Sequence, residues 1–413
     1  MGSFSSPLSG LLAAQQQLQS VSNNLANIDT DGYKTQTLTF GDIFAQTGAT
    51  SGSGNSVQIG SGVAVSSTDS NFTEGNLNST GTSSNMAISG NGFFVTQGKN
   101  GAQNFTRAGD FTTNDNGQLI APSGQLLLGY PAVNGVVNNS ASMQPLQVGS
   151  MTSSAVPSTT VGITANLDSN TAVGGTATSS SLNVFDSLGS PHTLTVNYTM
   201  TATGTWNYTV TVPSADVVAG TTGNTTVGSG TLNFNGTGQL TSITNPVPIS
   251  IPTLADGATS PLTFSGPFGT VANPTITQTA MASATSATTT DGFAPGTLKT
   301  FAVQPDGTIE GTFTSGNTLA LGQVAVASFT NNQGLVGVGN NDYQATVASG
   351  AAVIGLAGTG GRGTVVGGSV EQSNVDIASE FAKLIVAQQA YSANAKSITT
   401  FNTLSQATLA MIQ

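Results

Sequence analysis

"SNNLANIDTDGYK", Ser22 to Lys34, is the stretch whose reading decides the fold. From Phe4, apolar residues recur at Leu8, Leu11, Ala14, Leu18, Val21, Leu25 and Ile28. Steps of three and four keep one stripe on one helix face. Asn, Asp and Gly favour caps and turns over helix interiors. The spacing therefore predicts a helix over about 5–28 that stops abruptly in this stretch.

The far end of the chain carries a second such pattern. From Ile377, steps of four and three reach Phe381, Leu384, Gln388, Tyr391, Ala395, Ile398, Asn402, Ser405, Leu409 and Ile412, mostly apolar and in heptad register. Asn374 and Asp376 are candidate N-caps, and Asp376 with Glu380 complements the dipole of a helix that starts there. Neither helix has a partner nearby in sequence. Each must bury its stripe against the other or against another molecule, and two helices alone cover too little apolar surface to be stable.

Between the helices, runs of Val, Ile, Thr, Phe and Tyr alternate with turn residues. Asp306-Gly307 sits between two alternating runs, a strong hairpin signal, and Asn116-Gly117, Ser123-Gly124 and Ser187–Ser190 repeat it. "LGQVAVASF", Leu321 to Phe329, alternates cleanly as a strand. Gly/Ser/Thr runs at 47–62 and 355–368 read as linkers, and low-complexity segments at 140–160 and 277–290 bracket a central block. The expected fold is mainly β with α-helical termini, nested and multidomain. Residues 1–35 and 370–413 form a coiled-coil-like helical inner domain, 36–70 an extended linker, 71–145 and 285–369 a split β domain, and 146–284 an inserted outer β domain.

Composition narrows the function. Only 6% of the 413 residues are charged, where about 25% is ordinary, and 52 glycines with abundant Ser, Thr and Asn take their place. Such a surface sets up little long-range repulsion between copies. The net charge is −11, and no Lys or Arg occurs between Arg107 and Lys299, so no basic stripe exists to engage phosphates and nucleic acid is excluded as a partner. There is no Cys, hence neither a disulfide framework nor a thiolate metal site. The N-terminus lacks a basic segment and an apolar core, so no cleaved Sec signal is expected, and no apolar run is long enough for membrane insertion.

Candidate chemistry is sparse. Acid, base or nucleophilic catalysis needs convergent ionisable groups. The single His, His192, follows Pro191 at a turn and reads as a surface residue; the four Glu are scattered. "GTGGRG", Gly358 to Gly363, matches a dinucleotide fingerprint but lacks the helix that must follow it, and reads as a flexible linker. Trp206 reads as buried in the inserted domain. No enzyme activity, cofactor or metal is expected.

The opening stretch, extended to "SGLLAAQQQLQSVSNNLANIDTDGYK", resembles the N-terminal motif of the flagellar rod and hook family of axial proteins, through Asn23, Asn24, Ala26, Asn27, Thr30, Gly32, Tyr33 and Lys34. "EQSNVDIASEFAKLIVAQQAYSANAKSI" is similar to that family's closing helix, departing at Gln389, where the family commonly has Arg. "GNGFFVT" with "FTRAGDFTTNDNGQLIAPSGQLLLGYPA" resembles the shared β domain; "DGFAPGTLKTFAVQPDGTIEGTFTSGNTLALGQVAVASFTNNQGL" resembles the segment of the hook members that resumes it. The resemblance implies a subunit that polymerises with itself into a flexible tube around an export channel, the coupling that passes torque from rod to filament. It implies an extracellular place in the flagellum. The implied partners are the distal rod protein, the hook cap protein, the hook-filament junction proteins and the type III export apparatus. Leu11, Leu18 and Leu25 in the first helix and Phe381, Leu384, Tyr391 and Ile398 in the last are the expected subunit contacts. The alternatives are a distal rod subunit, which lacks the inserted block, and a secreted β-rich adhesin or carbohydrate-binding protein, which leaves both helical ends unexplained.

Overall fold

The computed structural model describes all residues except 1–4, 44–45, 51–55, 150, 219–220, 245–247 and 412–413. Phe4 and Ile412 at the ends of the two stripes, and Gly52 and Gly54 of the first glycine run, therefore lie outside the described residues. The chain forms two compact units, one of 1–149, 300–311 and 320–413, the other of 150–299 and 312–319. Segments 285–299 and 312–319, assigned from sequence to the split domain, thus belong with the inserted block. Pairing explains the first of these: strand Ala284–Thr290, part of a stretch read as low-complexity, is antiparallel to Val161–Asp168.

In the first unit, helix α1 spans Ser5–Ala26 and the closing helix runs Ile377–Ala410. The segment expected to be a linker is a β hairpin instead. Strand Gln36–Asp42 pairs antiparallel with Val63–Ser70, and Gln46–Thr50 with Ser56–Ile59. Thr, Val and Phe in that segment favour strand pairing, a signal that its glycines hid. The β body orders its strands as Thr308–Phe313, Thr318–Ser328, Leu126–Val133, Phe93–Gln97, Gln103–Thr106, Asp342–Gln344 and Val336–Gly339. Its core holds Phe93, Val95, Phe105, Leu128, Ala325, Ala327 and Tyr343. Phe105 meets Phe329 edge to face at 4.8 Å between ring centres. Strand Thr318–Ser328 is buried on both faces from Leu321 to Ala327, so its alternation does not mark a solvent side. The hairpins at Asn116-Gly117, Ser123-Gly124 and Asp306-Gly307 are present, each Gly at positive φ. Gly358–Gly363 is a closed turn between strands Val353–Leu356 and Thr364–Gly367, the Gly358 N–H bonded to the Gly363 carbonyl at 2.9 Å. That corrects the linker reading of 355–368.

The second unit is built on an antiparallel five-stranded meander: Ser180–Phe185, Pro191–Ala202, Thr205–Pro213, Asn224–Phe234 and Leu240–Thr244. Alternate residues of its second and third strands are buried, Leu194, Val196, Tyr198 and Met200 against Trp206, Tyr208, Val210 and Val212. A one-residue slip would turn that whole set outward. Trp206 is fully buried. A one-turn helix, α2, occupies Ser214–Val217, so the closing helix is α3.

Candidate functional site

A buried polar network is built on the opening stretch. Four side-chain bonds fix Asn24, which is buried. Its Nδ2 donates to the Gln36 carbonyl at 2.8 Å and to Glu380 Oε2 at 3.1 Å; its Oδ1 accepts from the Gln36 N–H at 3.0 Å and the Tyr33 hydroxyl at 3.0 Å. An amide has two donors and two acceptor positions, and all four are used. Asn23 donates to the Tyr33 hydroxyl at 3.2 Å, and Asn27 donates back to the Asn23 carbonyl at 2.8 Å while accepting from Thr30. Gly32, at φ +70°, donates its N–H to the Glu371 carbonyl at 2.7 Å, and a Cβ there would come 2.4 Å from the Ala108 nitrogen. Only glycine fits.

Behind the turn lies a buried ion triad. Lys34 Nζ donates to Glu371 Oε1 at 2.5 Å and to the Thr73 carbonyl at 2.7 Å. Arg107 donates to Glu371 Oε2 at 3.1 Å and to the Ile88 and Gly90 carbonyls, and its guanidinium lies 5.4 Å from the centre of the Phe93 ring. All three side chains are at most 4% exposed. Burial draws the Lys34 ammonium below its usual pKa and Glu371 opposes it. Removing one partner of such a buried pair costs about 3–5 kcal/mol, because the other charge stays buried and uncompensated. Asn374 completes the anchor by accepting from the Thr35 N–H and hydroxyl and donating to the Asn71 and Thr73 carbonyls. Asp376 alone is the N-cap of α3, accepting from the Ser379 N–H at 2.7 Å.

From this anchor α1 and α3 run antiparallel. Their seam is lined by Gly10, Ala13, Ala14, Val21 and Asn24 on α1 and by Glu380, Ala387 and Asn394 on α3. It corrects the heptad register on α3 by one residue, from 381, 388 and 395 to 380, 387 and 394. Small side chains let the helices approach closely: a Cβ on Gly10 would already be 2.9 Å from the Asn394 amide. The larger residues flank the seam. Leu11, Leu18, Leu25, Leu384 and Ile398 are half-buried, while Phe381 and Tyr391 are exposed. Ile377, Ile385, Val386, Leu404 and Leu409 are also exposed, and every residue from Thr399 to Met411 is exposed. Three charged residues, Glu380, Lys383 and Lys396, occur in all of α3.

Of the motif residues, Asn24, Gly32, Tyr33 and Lys34 are brought together in the buried anchor, Asn23 and Asn27 brace it, and Ala26 is exposed. Sequence reasoning missed Arg107 and Glu371, and it read Asn374 only as a cap candidate and Glu380 only as a complement to the helix dipole. Charge scarcity was the available signal, since a chain with four Glu and two Arg has few charges to leave unemployed. The His192 reading is overturned: it is 5% exposed and sits among carboxylates. Strand pairing turns it inward, opposite Val184.

Comparison with known proteins covers the same elements. The flagella basal body rod protein family matches 7–34, the flagellar hook protein FlgE/F/G D1 domain 87–168, the flagellar basal body protein FlaE D2 domain 152–293, and the flagellar basal body rod FlgEFG protein C-terminal family 366–411. The flagellar hook protein FlgE of Escherichia coli K12 is 34% identical over 96% of both chains. That of Salmonella typhimurium is 35% identical over 96% of this chain and 97% of its own, and that of Treponema pallidum 32% over 100% and 99%. The crystal structure of Helicobacter pylori flagellar hook protein FlgE2 shares the fold, with a TM-score of 0.52 at 16% identity over 73% of this chain and all of that one. Identity at this level along the whole length, over helical ends and inserted β unit alike, makes the chain a member of the flagellar hook protein family.

Proposed function

We propose that this chain is the structural subunit of the flagellar hook, polymerising through α1 and α3 into a tube around an export channel. The carrying observation is α3 itself. A helix with apolar residues on all sides belongs in an interior, yet α1 covers one side of it and leaves Phe381, Ile385, Leu404 and Leu409 to solvent. Neighbouring copies supply the missing cover. The subunit contacts are then Leu11, Leu18, Leu25, Phe381, Leu384, Tyr391 and Ile398, joined by the exposed end of α3. Head-to-tail contacts that do not close generate a helical polymer.

In this reading residues 1–35 and 370–413 form the shared helical layer. The subunit leaves the cell through the type III export apparatus, and meets the distal rod protein, the hook cap protein and the junction proteins at the ends of the polymer. It acts as a flexible coupling rather than as an enzyme. No described helix is long and apolar enough to cross a membrane.

Two experiments test it. Basal bodies from cells lacking this chain should show complete rods without hooks by electron microscopy; intact hooks would overturn the assignment. Leu404→Asp alters a residue 62% exposed in the monomer, so the purified variant should melt where the parent does yet fail to sediment as polymer. Normal polymerisation of that variant would remove the end of α3 from the interface.

A further inference from the structure

One cluster in the second unit has no part in the helical layer. Asp186 ends strand Ser180–Phe185 and is fully buried. Its Oδ1 accepts from the Leu188 and Ser190 N–H groups at 2.8 and 2.9 Å, and its Oδ2 lies 3.1 Å from His192 Nε2. Asp256, on the exposed loop before strand Leu262–Phe264, comes within hydrogen-bonding reach of the same carboxyl. One ligand atom from each of Asp186, His192 and Asp256 lies within 4.8 Å of the others. On the other side of the ring, Asp216 Oδ2 of α2 is 3.2 Å from His192 Nδ1. That nitrogen is buried and makes no aligned hydrogen bond.

Three carboxylates thus surround one imidazole in a stretch without a Lys or Arg from 108 to 298. Buried charges are paired or coordinate metals, and this stretch supplies no Lys or Arg to pair with Asp186. We propose that Asp186, His192 and Asp256 bind a divalent transition-metal cation, with Zn²⁺ the best match, and that Asp216 holds the imidazole from behind. One nitrogen and two carboxylate oxygens make a donor set that zinc accepts. A ligating histidine that gives its other N–H to a carboxylate is the usual supporting arrangement. The ion would tie together the 186–190 turn, the second strand of the meander and the 252–261 loop. That loop already leans on these elements, through the Ala255 N–H to the Asp216 carbonyl at 2.8 Å and the Thr259 N–H to Ser187 Oγ at 2.8 Å.

The chain has one histidine and no cysteine, so the test can watch a single imidazole. Zn²⁺ added to the ¹⁵N-labelled full chain should move the His192 Nε2 resonance, saturating at one equivalent, and should raise the melting midpoint of the protein. Asp256→Asn, on an exposed loop, should keep the fold and weaken Zn²⁺ binding at least about tenfold, and Asp216→Asn about 10- to 100-fold. An imidazole that Zn²⁺ leaves unmoved, or that responds only to pH as a proton-held clamp, overturns the proposal. Equal affinity in Asp256→Asn does the same.

Discussion

Asp342 shows how a single residue couples this fold to pH. It is 3% exposed, accepts from Gln125 Nε2 at 2.5 Å, and lines a cleft with Asp31 and Asp110. Burial pushes its carboxyl up to about 6 against a small opposing pull from Ser123, and pushes Asp31 and Asp110 upward too. The folded chain therefore holds this proton more tightly than the unfolded chain does. Its contribution is fully present below the unfolded value of 3.8, and is lost as pH rises through about 6, a change of about 3 kcal/mol. Asp342→Asn, whose amide oxygen can still accept from Gln125, should remove most of that slope from urea unfolding followed between about pH 4 and about pH 7. An unchanged slope would assign it to Asp31 and Asp110. Residues of this kind are poorly legible in sequence. Asn24, Gly32 and Lys34 belong to a motif and could be singled out, but Glu371, Arg107 and Asp342 acquire their roles from strands brought together over more than 200 positions, as the 264-residue separation of Arg107 and Glu371 illustrates.

The helices were the most legible elements, since period and stop signals lie within one stretch of chain: α1 begins where expected and ends two residues early, at Ala26. Which face meets the partner was harder to see. Leu and Phe dominate a hydrophobic pattern by size, whereas the seam selects Gly10, Ala13, Ala14 and Ala387 for closeness, and fills its end with Asn24 and Glu380. The strand hairpins with Asn-Gly and Asp-Gly turns could be read locally. The 36–70 hairpin and the Ala284–Thr290 strand could not, because Ser/Thr/Ala/Gly composition looks the same whether its backbone is paired or free. Ala387, fully buried in the seam, gives the element-level test. Ala387→Leu should cost about 1–3 kcal/mol through overpacking, read as a lower melting midpoint, whereas the same change at exposed Ala393 should leave it in place. Equal effects at both would mean that close approach of the helices does not govern their pairing.

At the scale of the molecule, α3 is about 50 Å long and α1 about 33 Å, so the closing helix outruns its intramolecular partner by several turns. In the proposed polymer that excess is covered only where several neighbouring copies meet. The first few associations in solution are therefore uphill, and only an existing end presents a finished seat. The consequence is kinetic: growth should show a lag and a critical concentration, and short polymer fragments added at the start should abolish the lag, followed by light scattering. A Leu404→Asp, Leu409→Asp chain should neither grow nor extend such seeds. Polymer appearing without delay from pure monomer would contradict this. On the proposed reading, length answers to where ends are supplied and closed, and a pool of subunits should stay unassembled until an end is offered.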